Sequence, residues 1–267
     1  MSGAAGVDLR RAYDRAAARW AHGPARVYGP LAEALLGVGP ADWSGWTALD
    51  VGAGTGLASE LLAQRGAAVV AVDVAHAMLA LGRRQRPPAL VGDAAMLPVR
   101  AGAADAAVLA FCLNHAVDPV ATLAELRRVL RPGGVVLSST FAGDRDDAAK
   151  VRVEAAMASF GFRSPAWRTG MAAAGEQRCR DPHELASMAR AAGLVDARAE
   201  QLEVRIDGLD AGALADWRLG MAHCAEWVDG LDDGTRRRVR SASVDALGAL
   251  AGQPLVVSML ALVAASP

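Results

Sequence analysis

From Val7 to Leu36 the apolar residues recur at threes and fours, with Leu9, Ala12, Tyr13, Ala16, Ala17 and Trp20 on one face, a spacing that predicts helix. His22-Gly23-Pro24 divides this stretch in two, because neither glycine nor proline continues a helix well. After Gly39-Pro40 the pattern changes to short apolar runs separated by longer amphipathic ones. The runs predict strands at 47–51, 68–72, 89–91, 105–110 and 135–140, with helices at about 56–65, 75–84 and 119–130. Arg131-Pro132-Gly133-Gly134 closes the last of these helices. Strands joined by helices run parallel, so the expected fold class is α/β with a Rossmann-like, doubly wound sheet.

Beyond residue 142 the alternation stops. Between Gly143 and Cys179 no run reads as a strand, and Met157, Phe160, Phe162, Trp167 and Met171 are scattered among charges, which predicts an irregular lid. Order returns at Asp181-Pro182, where Asp181 suits a helix N-cap and Pro182 the first turn of a helix reaching Gly193. A strand at about 197–204, helices at 211–228 and 235–250, and a final strand at 255–263 complete the reading. The chain is thus expected to be a single domain over 1–267: a helical cap at 1–40, a ligand-binding core at 41–142, and lid segments at 143–180 and 208–253.

Composition narrows the ligand. With 28 basic and 29 acidic residues the formal net charge is -1, so no long-range field draws in nucleic acid or an anionic membrane, and a small molecule is the expected partner. Aromatic residues make up only 4% of the chain, so the core must be built from Ala, Val, Leu and Met; Lys150 is its only lysine. Cys112, Cys179 and Cys224 are odd in number and widely spaced, which fits neither a disulfide framework nor a metal site and suggests a reduced, cytoplasmic protein. No apolar run approaches the roughly 20 residues of a membrane span.

The segment Leu49-Asp50-Val51-Gly52-Ala53-Gly54-Thr55-Gly56 places a glycine-rich turn between a predicted strand and helix. Such a turn needs glycine for its geometry alone, so it does not name a ligand by itself. The dinucleotide fingerprint would require glycine where Leu57 stands, and no Gly-Lys-Ser/Thr follows for a phosphate loop. Asp50 sits just before the turn, where a carboxylate repels pyrophosphate but favours an ammonium or sulfonium group. The next strand ends in Asp73, suited to two ribose hydroxyls, and the third in Asp93, suited to an adenine amino group. Each acid is equally able to serve as a helix cap; three in order at strand C-termini favour a cationic adenosyl ligand.

At these residues the chain resembles the class I S-adenosylmethionine-dependent methyltransferases, in particular the branch with the ubiquinone/menaquinone-biosynthesis enzymes. The resemblance rests on Leu49 to Gly56, Val70-Ala71-Val72-Asp73, Gly92-Asp93-Ala94-Ala95-Met96-Leu97-Pro98 and Leu130-Arg131-Pro132-Gly133-Gly134. It implies a seven-stranded sheet in the order 3-2-1-4-5-7-6 with the last strand antiparallel, S-adenosyl-L-methionine as cofactor and S-adenosyl-L-homocysteine as product. Gly52, Ala53 and Gly54 would lie under the methionine part of the cofactor, Asp73 would hold the ribose, Val74 and Met78 would flank the adenine, Asp93 and Ala94 would read its edge, and Phe111 would sit near the sulfur. Tyr13-Asp14-x-x-Ala17-x-x-Trp20 is similar to the branch's leading motif, although Trp20 stands where tyrosine is usual; with Tyr28 these rings either close over the sulfonium or simply pack a helix pair.

Transfer of a methyl group from a sulfonium is an in-line displacement with a neutral leaving group, so alignment and exclusion of water matter most and a base is optional. His115, in the loop after the fourth strand, is the candidate base, with helix capping or packing as the competing role. Asn114 either orients the acceptor or caps its turn, and His76 is expected to cap the helix after Asp73. Phe160, Trp167, Trp217, Met221 and His223 are expected to line an apolar acceptor pocket, against the alternative of ordinary core packing. The expected function is methylation of an O, N or C atom in a small, largely apolar acceptor, such as a natural-product intermediate. The alternative is a S-adenosylmethionine-binding protein that catalyses cyclisation or rearrangement, or only binds.

Overall fold

The computed structural model of the protein describes residues 4–81, 87–143, 147–171 and 178–267. Its strands are β1 (Thr47–Val51), β2 (Ala68–Asp73), β3 (Ala89–Val91), β4 (Ala104–Ala110), β5 (Leu130–Phe141), β6 (Val195–Ile206) and β7 (Leu255–Ala265). They form one sheet in the order β3-β2-β1-β4-β5-β7-β6, parallel from β3 to β5, with β7 antiparallel to both β5 and β6. The expected topology is therefore the observed one. Among the described residues no helix is long and apolar enough to cross a membrane.

Two hydrophobic layers follow from the period of two along each strand. Ala48, Ala106, Val108, Met259 and Ala261 face one layer, shared with Val27, Leu31 and Leu35 of α2 (Ala25–Gly37) and Leu62 of α3 (Leu57–Gln64). Leu49, Val51, Ala107, Leu109, Leu260 and Leu262 face the other, shared with residues of two later helices, Leu123 and Leu126 (Pro119–Val129) and Leu185 and Met188 (Pro182–Ala191). The central strands are thus covered on both faces, which is why they read as continuous apolar runs.

The helices fill the remaining expectations and correct several. The first, α1 (Ala4–His22), precedes α2, and α4 (His76–Leu81) follows β2; the predicted continuation of α4 to residue 84 lies outside the described residues. His76 is exposed, and the role expected of it falls to Asp14 of α1, whose carboxylate accepts from the Ala77 amide at 2.8 Å. After α5 (Pro119–Val129), β5 begins at Leu130 rather than at residue 135, with a register shift that absorbs Arg131 to Gly134. The segment expected to be irregular is largely helical, as α6 (Ala148–Ser159) and α7 (Ala166–Met171). Asp147 explains the first of these, because its side chain caps the helix by accepting from the Lys150 amide. Asp181 caps α8 (Pro182–Ala191) as expected, through the Glu184 amide at 2.9 Å.

The helix expected over 211–228 is two helices, α9 (Ala211–Leu219) and α10 (Ala222–Gly230), followed by α11 (Asp233–Leu247). The break lies where this hairpin meets the turn between α1 and α2. A Cβ on Gly220 would stand 2.6 Å from Pro24 Cδ, and one on Gly23 would stand 2.2 Å from the carbonyl oxygen of Asp216. Each turn is therefore pressed against the backbone or proline ring of the other, and the α1–α2 cap is locked to the α9–α10 pair. Replacing Gly23 by alanine should force the two turns apart and cost about 1–3 kcal/mol, the usual penalty of overpacking. A lowered denaturation midpoint in urea measures it; an unchanged midpoint would mean that the turns do not interlock.

Candidate functional site

At the C-terminal edge of the parallel strands lies a cavity of about 890 Å³. That is the upper part of the range for small-molecule sites, enough for more than a single nucleoside. Its floor is the turn after β1. Gly52 and Gly54 adopt φ of 73° and 56°, in the left-handed region that side chains disfavour, and a Cβ on Gly52 would fall 2.3 Å from Cys112 Sγ. The amides of Gly52 and Ala53 both reach the Val72 carbonyl, at 2.7 and 3.1 Å, so the turn folds back over the end of β2.

Three carboxylates surround this floor. Asp73, at the end of β2, accepts from the Gly54 amide on one oxygen and the Ala75 amide on the other, both at 2.7 Å. Burial raises its pKa, while those two amide bonds pull in the opposite direction. Asp50 is 1% exposed and accepts from Ser59 Oγ at 2.6 Å. Burial pushes its pKa up to about 6, only partly offset by Ser59. Asp93, beyond β3, accepts from the Ala95 amide at 3.0 Å and lines the cavity with Ala94, Val74 and Met78. The acids expected from the sequence are thus brought together with the glycine turn. The chemistry of this set, acidic, half-buried and free of any fixed phosphate-binding cation, fits an adenosyl group bearing a positive charge.

A further part of the lining is aromatic and comes from the N-terminal helices and from the ends of β4 and β5. Tyr13 and Trp20 of α1, Tyr28 of α2, Phe111 after β4 and Phe141 at the end of β5 form a continuous series, with successive ring centroids 5.6, 4.9, 5.2 and 4.6 Å apart. Phe111 has a φ of 55°, a conformation that costs a non-glycine residue about 1–3 kcal/mol. It is held there by its amide, which reaches Ser139 O at 3.1 Å and Ser139 Oγ at 3.2 Å, and by the rings on either side. The sharp turn delivers Cys112 onto Gly52 and starts a short 3-10 turn, Leu113–His115. Burial pushes the Cys112 thiol up to about 12, so it is a packing group and no nucleophile.

His115 then meets Tyr13 across the cavity, with Nε2 3.0 Å from the phenol oxygen. Burial, then the proximity of Tyr28 and Asp73, raises the Tyr13 pKa well above its ordinary 10.0, so the hydroxyl stays protonated. Asn114 Oδ1 and Trp217 Nε1 are buried without a hydrogen-bond partner among the described residues, and both residues line the cavity. His223 lies there too, its pKa lowered to about 3 by burial and by Arg218, Arg168 and Lys150; it is neutral at any working pH.

Of the residues singled out from the sequence, Tyr13, Trp20, Tyr28, Asp50, Gly52, Ala53, Gly54, Asp73, Val74, Met78, Asp93, Ala94, Phe111, Asn114, His115, Trp167, Trp217, Met221 and His223 all line the cavity. Phe160 does not. It is the C-cap of α6, immediately before the turn at Gly161, and packs against the large core cluster instead. Met157 is fully buried beside Cys224, and Phe162 packs on Trp227 with ring centroids 5.2 Å apart; neither lines the cavity. The side chain of Met171 lies outside the described residues. Sequence reasoning missed Phe141, Lys150, Arg168, Arg180 and Arg218, which also line the cavity. The single lysine was the only signal that pointed to any of them.

The raised pKa of Asp50 has a consequence for stability. Its folded value of about 6 lies above the unfolded value, so its contribution is favourable below about pH 4 and is lost as the pH rises through 6. Asp50→Asn should therefore stabilise the ligand-free protein by about 3 kcal/mol at pH 8, a gain that vanishes by pH 4. Urea denaturation at the two pH values checks this, and an equal effect at both would sink the assignment of a strained carboxylate.

Residues 49–138 match the family model described as "Methyltransferase domain". The demethylmenaquinone methyltransferase of Mycobacterium sp. (strain KMS) is 42% identical over 108 residues, which are 40% of this chain and 45% of that protein. The chain thus spans less than half the length of this curated relative. Among solved structures, a SAM-dependent methyltransferase of Thermotoga maritima shares the fold with a TM-score of 0.57 at 14% identity, covering 97% of this chain and 100% of that one. The cyclase SpnF shares it with a TM-score of 0.51 at 19% identity, covering 90% and 80%. Residues 49–138 thus match a methyltransferase domain, the sheet that carries them has the fold of these solved structures, and the chain resembles the class I S-adenosylmethionine-dependent methyltransferases, in particular their quinone-biosynthesis branch.

Proposed function

We propose that this protein transfers a methyl group from S-adenosyl-L-methionine to an O, N or C atom of a small acceptor with a large apolar part, such as a natural-product intermediate. The observation that carries this reading is one cavity with two unlike walls: the glycine turn with Asp50, Asp73 and Asp93 on one side, and the aromatic series with the Tyr13–His115 pair on the other. The relatives named as demethylmenaquinone methyltransferases support an apolar organic acceptor. Three free thiols support a reduced, cytoplasmic setting.

In this reading the cofactor, when bound, supplies an electrophilic sulfonium methyl. Gly52, Ala53 and Gly54 receive its methionine part and Asp50 offsets its positive charge, while Asp73 accepts from the ribose hydroxyls and Asp93 and Ala94 meet the adenine edge between Val74 and Met78. Tyr13, Trp20, Tyr28 and Phe111 exclude water and hold the sulfonium by cation–π attraction, worth about 0.5–2 kcal/mol. Asn114 Oδ1 and Trp217 Nε1 offer the acceptor an unused hydrogen-bond acceptor and donor. For a hydroxyl acceptor, its proton would pass to the Tyr13 oxygen as the Tyr13 proton passes to His115 Nε2, leaving the acceptor oxygen as the nucleophile, and the cavity would hold it in line with the group to be transferred.

The reading is tested with methyl-labelled cofactor incubated with extracts of the producing cell. A labelled small product is expected; tight binding with no labelled product from any extract would favour cyclisation or binding alone, for which the fold also serves. Asp73→Ala should weaken S-adenosylhomocysteine binding by about 100-fold or more, since two hydrogen bonds to a charged group are lost. Calorimetry showing unchanged affinity would remove the ribose role. With a hydroxyl acceptor, His115→Ala should lower turnover by about 100-fold while S-adenosylhomocysteine affinity stays within a few-fold. Unchanged turnover would leave His115 as a packing group.

A further inference from the structure

The lid segments expected at 143–180 and 208–253 carry cations into the cavity. Lys150 on α6, Arg168 on α7, Arg180 in the 3-10 turn Arg178–Arg180 and Arg218 at the end of α9 all line it. Four cations lining the cavity away from the acidic strand ends favour an anionic group on the second ligand. Arg218 is 6% exposed and bonds to Glu154 at 3.0 Å, yet its Nε is buried with no partner. The buried Nε of Arg180 likewise has no partner, and Lys150 forms no ion pair among the described residues. The acids on the same wall are engaged elsewhere: Asp118 and Asp147 cap α5 and α6 through the Ala121 and Lys150 amides, and Glu203 on β6 has a partner of its own.

We infer that the acceptor is an organic acid, an apolar or aromatic body bearing a carboxylate that Lys150 and Arg180 hold, with Arg168 and Arg218 completing a positive field around it. Resting on the methyltransferase reading above, this names the chemical class of the acceptor. The arrangement leaves the apolar body against Trp167, Trp217 and Met221 and directs the charged end toward α6 and the 3-10 turn. His223, kept neutral first by burial and then by Arg218, Arg168 and Lys150, lies within the field of three of these cations. A buried carboxylate with two or more charge-assisted hydrogen bonds is strongly preferred over a neutral isostere.

Calorimetric titration of the protein loaded with S-adenosylhomocysteine tests this, using benzoate, 2-naphthoate and 4-biphenylcarboxylate, each beside its neutral amide. At least one carboxylate should bind about tenfold or more tightly than its amide. The preference should fall below about threefold in Lys150→Gln and in Arg180→Gln, with S-adenosylhomocysteine affinity kept. Both side chains are only half-buried and have no ion-pair partner among the described residues, so neither change should unfold the protein. Equal affinity of acid and amide throughout, or a preference that survives in the double variant, would overturn the inference while leaving the cofactor reading intact. If S-adenosylhomocysteine itself fails to bind, the methyltransferase reading falls, and the same acid and amide pairs titrated into the unloaded protein still decide whether the cavity selects carboxylates.

Discussion

The carboxylate of Asp73 ties together the two turns on which the cavity is built. One oxygen takes the Gly54 amide and the other the Ala75 amide, so the glycine turn after β1 and the start of α4 are held at a fixed separation. Buried or half-buried amides at such turns need acceptors, and a carboxylate serves two at once more strongly than neutral groups would. Around that bond the rest is assembled. The Val72 carbonyl anchors the same turn from the next strand, and Asp14 brings α1 onto α4 through the Ala77 amide. With α1 so placed, Tyr13 and Trp20 stand over the glycine turn.

A second constraint is that the cavity has no aromatic wall until the N-terminal cap meets the turn after β4. Tyr13 and His115 are 102 residues apart, and their hydrogen bond closes the space between the cap and the turn after β4. That turn is strained at Phe111, and the strain is offset by the Ser139 contacts, by the edge-on ring of Tyr28 and by the tilted ring of Phe141. The cap in turn is fixed against α9 and α10 by the close contacts of Gly23 and Gly220. Packing far from the chemistry therefore governs how well the aromatic wall fits its ligand, in keeping with the dependence of transfer reactions on alignment.

Charge is divided in the same way. Acids gather at the strand ends, where a carboxylate at the end of a parallel strand also caps or braces the turn that follows. Cations gather on the helices after β5, where they reach the cavity from the side. A sulfonium at the first and a carboxylate at the second would each face the opposite sign. The burial that raises Asp50 to about 6 is the cost of keeping an acid there before any cation arrives.

How much of this was legible in advance depends on how local the cause is. The parallel strands and the acids at their ends follow from two periodicities and from residues adjacent in the chain, so Asp50, Gly52, Asp73 and Asp93 could be placed from the sequence, whereas the strand order came only with the family resemblance. Helix caps such as Asp181 are local in the same sense. The break between α9 and α10 was not legible, because Gly220 is tolerated in many helices and only the Pro24 ring pressed against it decides the turn. Phe160 was misassigned because one residue of rotation at the end of a helix changes what a ring faces, and the end of α6 is set by its packing. Lys150, Arg168, Arg180 and Arg218 come from four separate elements with no common spacing, and only the tertiary fold brings them to one cavity. The sequence by itself determined the sheet, its glycine turn and the acidic edge, since each is written in neighbouring residues; the aromatic roof, the Tyr13–His115 pair and the cationic wall were decided only by long-range contacts.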